Sequence, residues 1–394
     1  MVKRGREFLH TPGPTNIPDR ILNAMHRPAM DFASPVFAEM AAKLFEDLKD
    51  VFQTSSEVFL YTSSGHGGWE GTFVNCFSPG DTVLLPEIGR FGRVWGDMAE
   101  RLGLKVRRVP GSWRHPIDPA VIEDVLSKDK AHEIKGVLAV HVETATGAIS
   151  DMPAIRRAMD AANHPALLIC DAIASFACVP LPMRDWGIDV VIAASQKGLM
   201  LPPGLGICAV SEKALAASFE SRSQMEYFSW PQRLKTESYS RFCGTAPEHL
   251  VFGLVESLAM LREEGWPQVF KRHTRLATAV RKTVEAWGQA GALEHNIVVP
   301  EARADSLTVV RTPEGMNADI IRATARETFS VAMGGSLGDL AGRVFRIGHM
   351  GDLNEPMVIG ALGGIEAALR VCQVPIGQGG VGAAIDYLAE TAES

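Results

Sequence analysis

Between about residues 58 and 210 the chain alternates short apolar runs with amphipathic stretches. The runs VFLYT (58–62), DTVLLP (81–86), KVRRV (105–109), GVLAVHV (136–142), ALLICD (166–171), DVVIAAS (189–195) and GICAV (206–210) have the length of strands. They are bounded by Gly, Ser, Thr or Asp, and helical stretches such as Pro119–Ser127 and Met152–Ala162 lie between them. Apolar runs without polar alternation are strands buried on both faces, and strands separated by helices pair in parallel. The pattern predicts an α/β fold, with a mainly parallel central sheet between helices.

After Gly244 the texture changes. Residues 248–264 and 269–289 read as two helices, the second long enough to bridge two domains. SLTVVR (306–311), NADIIRATARETF (317–329), RVFRIGH (343–349) and EPMVIGALGGIEAALRVC (355–372) then form a smaller α+β unit. The expected division is 1–289 for an N-terminal arm and large domain, and 290–394 for a small C-terminal domain.

A chain of 394 residues that is 46% hydrophobic can bury a substantial core. Its net charge of -7 argues against a general nucleic-acid or anionic-membrane surface, while leaving room for a local basic pocket. None of the six cysteines forms a C-x-x-C pair, and most sit in apolar runs, as reduced cytoplasmic thiols do. The N-terminal segment has no apolar signal core, and no run is long enough to span a bilayer. The expected location is cytoplasmic, with an organellar one left open.

Ligands in open α/β sheets bind beyond the carboxyl ends of the strands, so the residues just after each run carry the chemistry. After VFLYT comes SSGHGG, where Gly65, His66 and Gly67 open a helix. This is either a phosphate cradle or an ordinary glycine-rich turn; it is neither a Walker A loop nor a dinucleotide fingerprint. After GVLAVHV comes ETATG, whose Thr144 hydroxyl can serve a ligand or a turn. ALLICD ends in Asp171, which either pairs with a buried cation, such as a protonated pyridine nitrogen, or caps a helix. DVVIAAS ends in Ser195-Gln196-Lys197-Gly198 before an apolar loop. A poorly solvated Lys197 would be a nucleophilic amine; otherwise it is a surface lysine. Arg346, in an apolar strand, suits either a substrate carboxylate or a structural ion pair. His141 and Glu143 form an H-x-E with no third ligand nearby, so no metal is expected.

In order, SGHGG, H-x-ETATG, Asp171, SQKG, LPPGLG and RIGHMG resemble the class V, fold-type I aminotransferases. The similarity is greatest to the serine–glyoxylate and alanine–glyoxylate group, and it extends from TPGPTNIP near the start to GQGGVGAAIDYL near the end. The resemblance implies a pyridoxal 5'-phosphate (PLP) enzyme. Lys197 would hold the cofactor as a Schiff base and shuttle a proton, and Asp171 would pair with the ring nitrogen. Gly65, His66, Gly67 and Gln196 would lie at the phosphate, Thr144 at the ring hydroxyl, and Phe91 on the ring. Arg346 would bind the substrate carboxylate, with Pro12, Gly13 and Asn16 near the substrate. It also implies a homodimer with sites at the subunit interface, Thr245 reaching the neighbour's phosphate. Phe242 stands where several relatives carry Tyr, and residues 222–239 match no relative convincingly.

The expected reaction is a ping-pong transamination from a small amino acid, serine favoured, to a small 2-oxo acid, glyoxylate favoured. Alternatives on the same scaffold are an alanine-, aspartate- or pyridoxamine-dependent aminotransferase, or a PLP lyase. A binding module without catalysis would have little need of both Lys197 and Asp171.

Overall fold

The structure is a computed structural model and describes residues 4–392. The seven apolar runs become one sheet: β1 (Val58–Ser63), β2 (Thr82–Glu87), β3 (Lys105–Pro110), β4 (Ile134–Val140), β5 (Leu167–Asp171), β6 (Val190–Ala194) and β7 (Gly204–Val210). Their spatial order is β1-β7-β6-β5-β4-β2-β3. β7 runs antiparallel to both neighbours, and the remaining pairs are parallel. Every residue of β5 and β6 is buried, as the unbroken apolar runs require of strands covered on both faces.

Local chemistry fixes the crossover helices. Asp118 and Asp151 each accept a hydrogen bond from a first-turn N–H, and each stands close before a proline in the first turn of its helix. Two further helices start near the carboxyl ends of strands: α1 (Gly65–Cys76) after β1, and α2 (Arg90–Arg101) after β2.

β1 is an edge strand, and residues 222–242 cover its open side. Arg233 donates to Leu60 O at 2.9 Å, and the Tyr227 hydroxyl accepts from Thr62 N at 3.1 Å. The fully buried Arg233 guanidinium also donates to the carbonyls of Tyr227 and Arg241. Tyr61 and Tyr227 each present a ring centre 4.9 Å from it. Unpaired edge groups would otherwise invite another strand. Phe242 is buried in the same region, with its ring 5.6 Å from that of Phe45.

The long helix α3 (Trp266–Gly288) leads to the C-terminal unit. There β8 (Glu294–His295), β9 (Leu307–Arg311) and β10 (Val344–Gly348) form an antiparallel sheet, joined by helices Ala318–Phe329, Glu355–Val371 and Gly380–Glu390. Trp287, Val310, Phe345, Leu362 and Ile365 belong to a core separate from that beneath the large sheet. The N-terminal strand Phe8–His10 pairs in parallel with Val331–Met333, so the arm docks on the C-terminal unit. No helix of the described residues is long and apolar enough to cross a membrane.

Candidate active site

The carboxyl ends of β1, β2, β4, β5 and β6 converge on a cavity of about 220 Å³. Gly13, Gly65, His66, Phe91, Thr144, Asp171, Gln196 and Lys197 line it. Arg346 stands behind Thr144, where its Nη1 donates to Thr144 O at 3.1 Å and its Nε to Gly335 O at 2.6 Å. Gly67 lies one residue deeper in α1, where an added methyl would collide with the Ser63 side chain. Asn16 borders a different cavity and donates to Leu9 O at 3.1 Å. Thr245 is exposed and does not line the cavity.

Lys197 owes its position to Ser195. The Ser195 hydroxyl donates to Pro202 O at 2.7 Å and accepts from Leu205 N at 3.1 Å, which folds the Gln196–Pro203 loop back on itself. Lys197 is thereby buried, and its Nζ donates to Pro12 O in the N-terminal arm. Gly13 has a φ of 93°, and a methyl there would overlap the Lys197 side chain from Cδ to Nζ. Burial, and next the positive charge of Arg346, bring the Lys197 ammonium down to about 8.

Asp171 shifts the opposite way. Burial pushes its carboxyl up to about 7, although Ile173 N donates to it at 2.8 Å. The Trp69 indole N–H favours the ionised form without completing a hydrogen bond to it. A buried acid and a buried base, both titrating near neutrality in one cavity, form an acid–base pair of the kind found at catalytic centres.

Two residues that the sequence offers only as an incomplete metal pair hold the site together. The buried Glu143 carboxylate accepts from Phe91 N at 3.0 Å, Gly92 N at 3.1 Å and Ala145 N at 3.0 Å. It thus caps α2 and fastens the Thr144 turn with one side chain. A methyl on Gly89 would overlap Glu143, so the approach needs glycine. His141 donates its backbone N–H to Asp171 O at 2.9 Å, and its ring shares a 3.0 Å hydrogen bond with Ser175. Burial drops the His141 imidazolium to about 4, so it is neutral at physiological pH. The H-x-E spacing is visible in the sequence, but nothing in it signals that the glutamate binds backbone. Among the described residues no group of three or more His, Cys, Asp or Glu could hold a metal.

The cavity residues suit PLP. Ser64, at the N-cap of α1, makes no side-chain cap, and Gly67 N turns back to Ser64 O at 3.0 Å, so the N–H groups of Gly65 and His66 and the positive end of the helix dipole are available to a phosphate. Gln196 Oε1 and Trp69 Nε1 are buried polar atoms without partners, in residues that line the cavity. Such atoms are costly unless a ligand satisfies them. Asp171 makes no ion pair among the described residues, and a protonated ring nitrogen would be a suitable cation for it.

The family model of the class-V aminotransferases matches residues 7–341. The serine–glyoxylate aminotransferase of Methylorubrum extorquens is 44% identical over 98% of this chain and 97% of its own length. The L-aspartate–glyoxylate aminotransferase of Paracoccus denitrificans is 41% identical over 96% of each chain. The crystal structure of ureidoglycine–glyoxylate aminotransferase from Bacillus subtilis superposes with a TM-score of 0.89 at 28% identity, over 98% of this chain and 99% of that one. The chain therefore belongs to the class-V aminotransferase family and is a PLP-dependent aminotransferase.

Proposed function

We propose that the protein moves the amino group of a small amino acid, serine foremost, to a small 2-oxo acid, glyoxylate foremost. The observation that carries this reading is the pairing of a buried lysine at about 8 with a buried aspartate at about 7 in one cavity. Relatives that act on serine and glyoxylate, aligned over nearly the whole chain, support the substrate pair.

PLP, when bound, supplies a carbonyl carbon for the amine and a ring that withdraws electrons from the substrate Cα. Lys197 Nζ would hold the cofactor, and as a neutral amine it would take up and return the proton of the substrate Cα. Asp171 keeps a proton on the ring nitrogen. The N–H groups around Gly65 and His66, together with Gln196, bind the phosphate, with Gly67 leaving room at the turn. Phe91 would cover the ring and exclude water, while Thr144 would orient its hydroxyl. Arg346 offers Nη2, which has no hydrogen bond among the described residues, to the substrate carboxylate, and Gly13 lets the arm close over the lysine.

A homodimer fits this arrangement, with Thr245 reaching the partner's phosphate. The exposed Val36 and Tyr239, the latter with its ring 6.3 Å from that of Phe32, support an apolar surface near the segment that carries Thr245. Sedimentation at micromolar concentration tests it: a monomer that is fully active overturns this part. A cytoplasmic location is supported by six cysteines, all free.

The test of function is a half-reaction screen on the purified holoenzyme. Serine is expected to bleach the cofactor's visible absorption, and glyoxylate to restore it. Lys197→Ala is expected to lose both responses. A wild-type protein that binds no PLP, or whose absorption no amino acid changes, overturns the reading.

A further inference from the structure

Helix α1 crosses the carboxyl ends of β5 and β6. A methyl on Gly65 would overlap Ile173, and one on Gly68 would meet Ile192, which pairs with Asp171 between the two strands. Trp69 follows Gly68 in the helix and is fully buried. Other rings fix its indole: Trp95 stacks on it with centres 5.7 Å apart, Phe91 stands edge-on at 6.4 Å, and His66 lies at 4.3 Å. Packing, rather than a hydrogen bond of its own, therefore sets where the indole N–H points.

Trp69 lines the same cavity as Asp171, and its Nε1 is a buried donor with no acceptor among the described residues. Asp171 is the one carboxylate among the residues that line this cavity. Ile173 N donates to its Oδ1 at 2.8 Å, while Oδ2 accepts no hydrogen bond that meets full geometry among the described residues. An ionised carboxylate has room for about four. Glu143, the nearby buried carboxylate behind the Thr144 turn, is already filled by three backbone N–H groups. A donor without an acceptor and an acceptor with room thus share one cavity.

We infer that Trp69 is a positioning residue for Asp171: its indole N–H donates to Oδ2 and so holds the negative charge on the carboxylate and the proton on the cofactor's ring nitrogen. The inference rests on the proposed pairing of Asp171 with that nitrogen. In a buried pair of this kind the proton has two seats. Burial favours the neutral pair, with the proton on the carboxyl, whereas each hydrogen bond to the carboxylate favours the ion pair. Ile173 supplies one such bond and Trp69 the second. The protonated ring withdraws electrons more strongly, so Trp69 acts on the reaction through Asp171.

Two measurements test this. In holoenzyme carrying PLP labelled with 15N in the ring, wild type is expected to show a protonated ring nitrogen. Trp69→Phe, which keeps an aromatic body without the N–H, is expected to shift it toward the neutral form, with kcat for serine lower on the order of 10-fold and KM little changed. In PLP-free wild type with 15N-labelled indoles, one of the seven tryptophan N–H resonances is expected to move as pH passes through about 7, where Asp171 titrates, and to stay still in Asp171→Asn. This second measurement decides the matter if Trp69→Phe does not fold or does not hold PLP. An indole that moves equally in Asp171→Asn reports His66 instead and overturns the inference, as does a set of seven that never moves. A ring nitrogen equally protonated in Trp69→Phe also overturns it, and weaker PLP binding with that protonation intact assigns the N–H to the phosphate. A neutral ring nitrogen in wild type overturns the Asp171 pairing itself, whereas silence toward every amino acid overturns the proposed function.

Discussion

The carboxylate of Glu143 accepts the backbone N–H of Phe91 at 3.0 Å and so sets where the cavity's aromatic wall stands. Glu143→Ala orphans three N–H donors, each at a cost of about 1–3 kcal/mol before water relaxes into the gap. The expected outcome is a stability loss of at least about 2 kcal/mol by denaturant titration. Glu143→Gln keeps the shape but turns one acceptor into a donor facing an N–H. It should lie between wild type and Ala in stability, with weakened PLP retention. Full stability and full cofactor content in Glu143→Ala would remove Glu143 from any positioning role.

Gly13 packs directly against Lys197. Alanine at Gly13 meets both a positive φ and the lysine side chain. Gly13→Ala is expected to fold, since the arm is peripheral, yet to lose most of the cofactor's visible absorption. Unchanged circular dichroism with diminished PLP would separate this from misfolding. Normal PLP content would show that the arm retreats without penalty.

Lys197 and Asp171 give the site two opposed pH dependences. The Lys197 ammonium is lowered to about 8, so the neutral amine predominates above that value and is scarce below it. Protein stripped of PLP is expected to recapture it faster as pH rises toward 8, then level off. Below 8 the neutral fraction falls roughly tenfold per pH unit. In the stripped protein Asp171 is raised to about 7, so its protonated form stabilises the fold below its unfolded value near 3.8, and that contribution is lost as pH rises through about 7. A recapture rate flat between pH 6 and 9 would contradict the lysine assignment.

Arg233 anchors the cover over the sheet edge. Arg233→Ala would orphan the carbonyls of Leu60, Tyr227 and Arg241 and leave a cavity, at a cost of about 3 kcal/mol or more. Limited proteolysis should then cut within residues 222–242 while the rest of the large sheet resists. Equal protease resistance in variant and wild type would mean the cover is held by its aromatic contacts alone.

The large sheet is legible in the sequence because strands buried on both faces leave unbroken apolar runs, and β5 and β6 show that burial at every residue. Asp171 and Lys197 are legible because each stands at the end of such a run. The helix Pro35–Phe52 is not among the expected elements although its signals are present: Ser34 caps it, and Phe37, Ala41, Leu44, Phe45 and Leu48 form its buried stripe. Glu143 and Arg233 are not legible, because their partners are backbone groups, half of them far away in the chain, which no side-chain pattern encodes. The docking of the arm on the C-terminal unit is hidden for the same reason. A three-residue parallel pairing leaves too short a run to register.

That pairing also bears on how the protein is made. Phe8–His10 meets Val331–Met333, and the Pro12 carbonyl just beyond it receives the Lys197 amine. A ribosome delivers the arm first and its docking strand nearly last. Through most of translation the arm therefore has only its contacts with the lysine loop, Thr15 N to Gln196 O and Thr15 Oγ1 to Lys197 O, and its docking strand is added only on chains read past residue 333. A product that stops short of residue 331 carries the arm and the lysine but lacks the strand that ties the arm to the C-terminal unit.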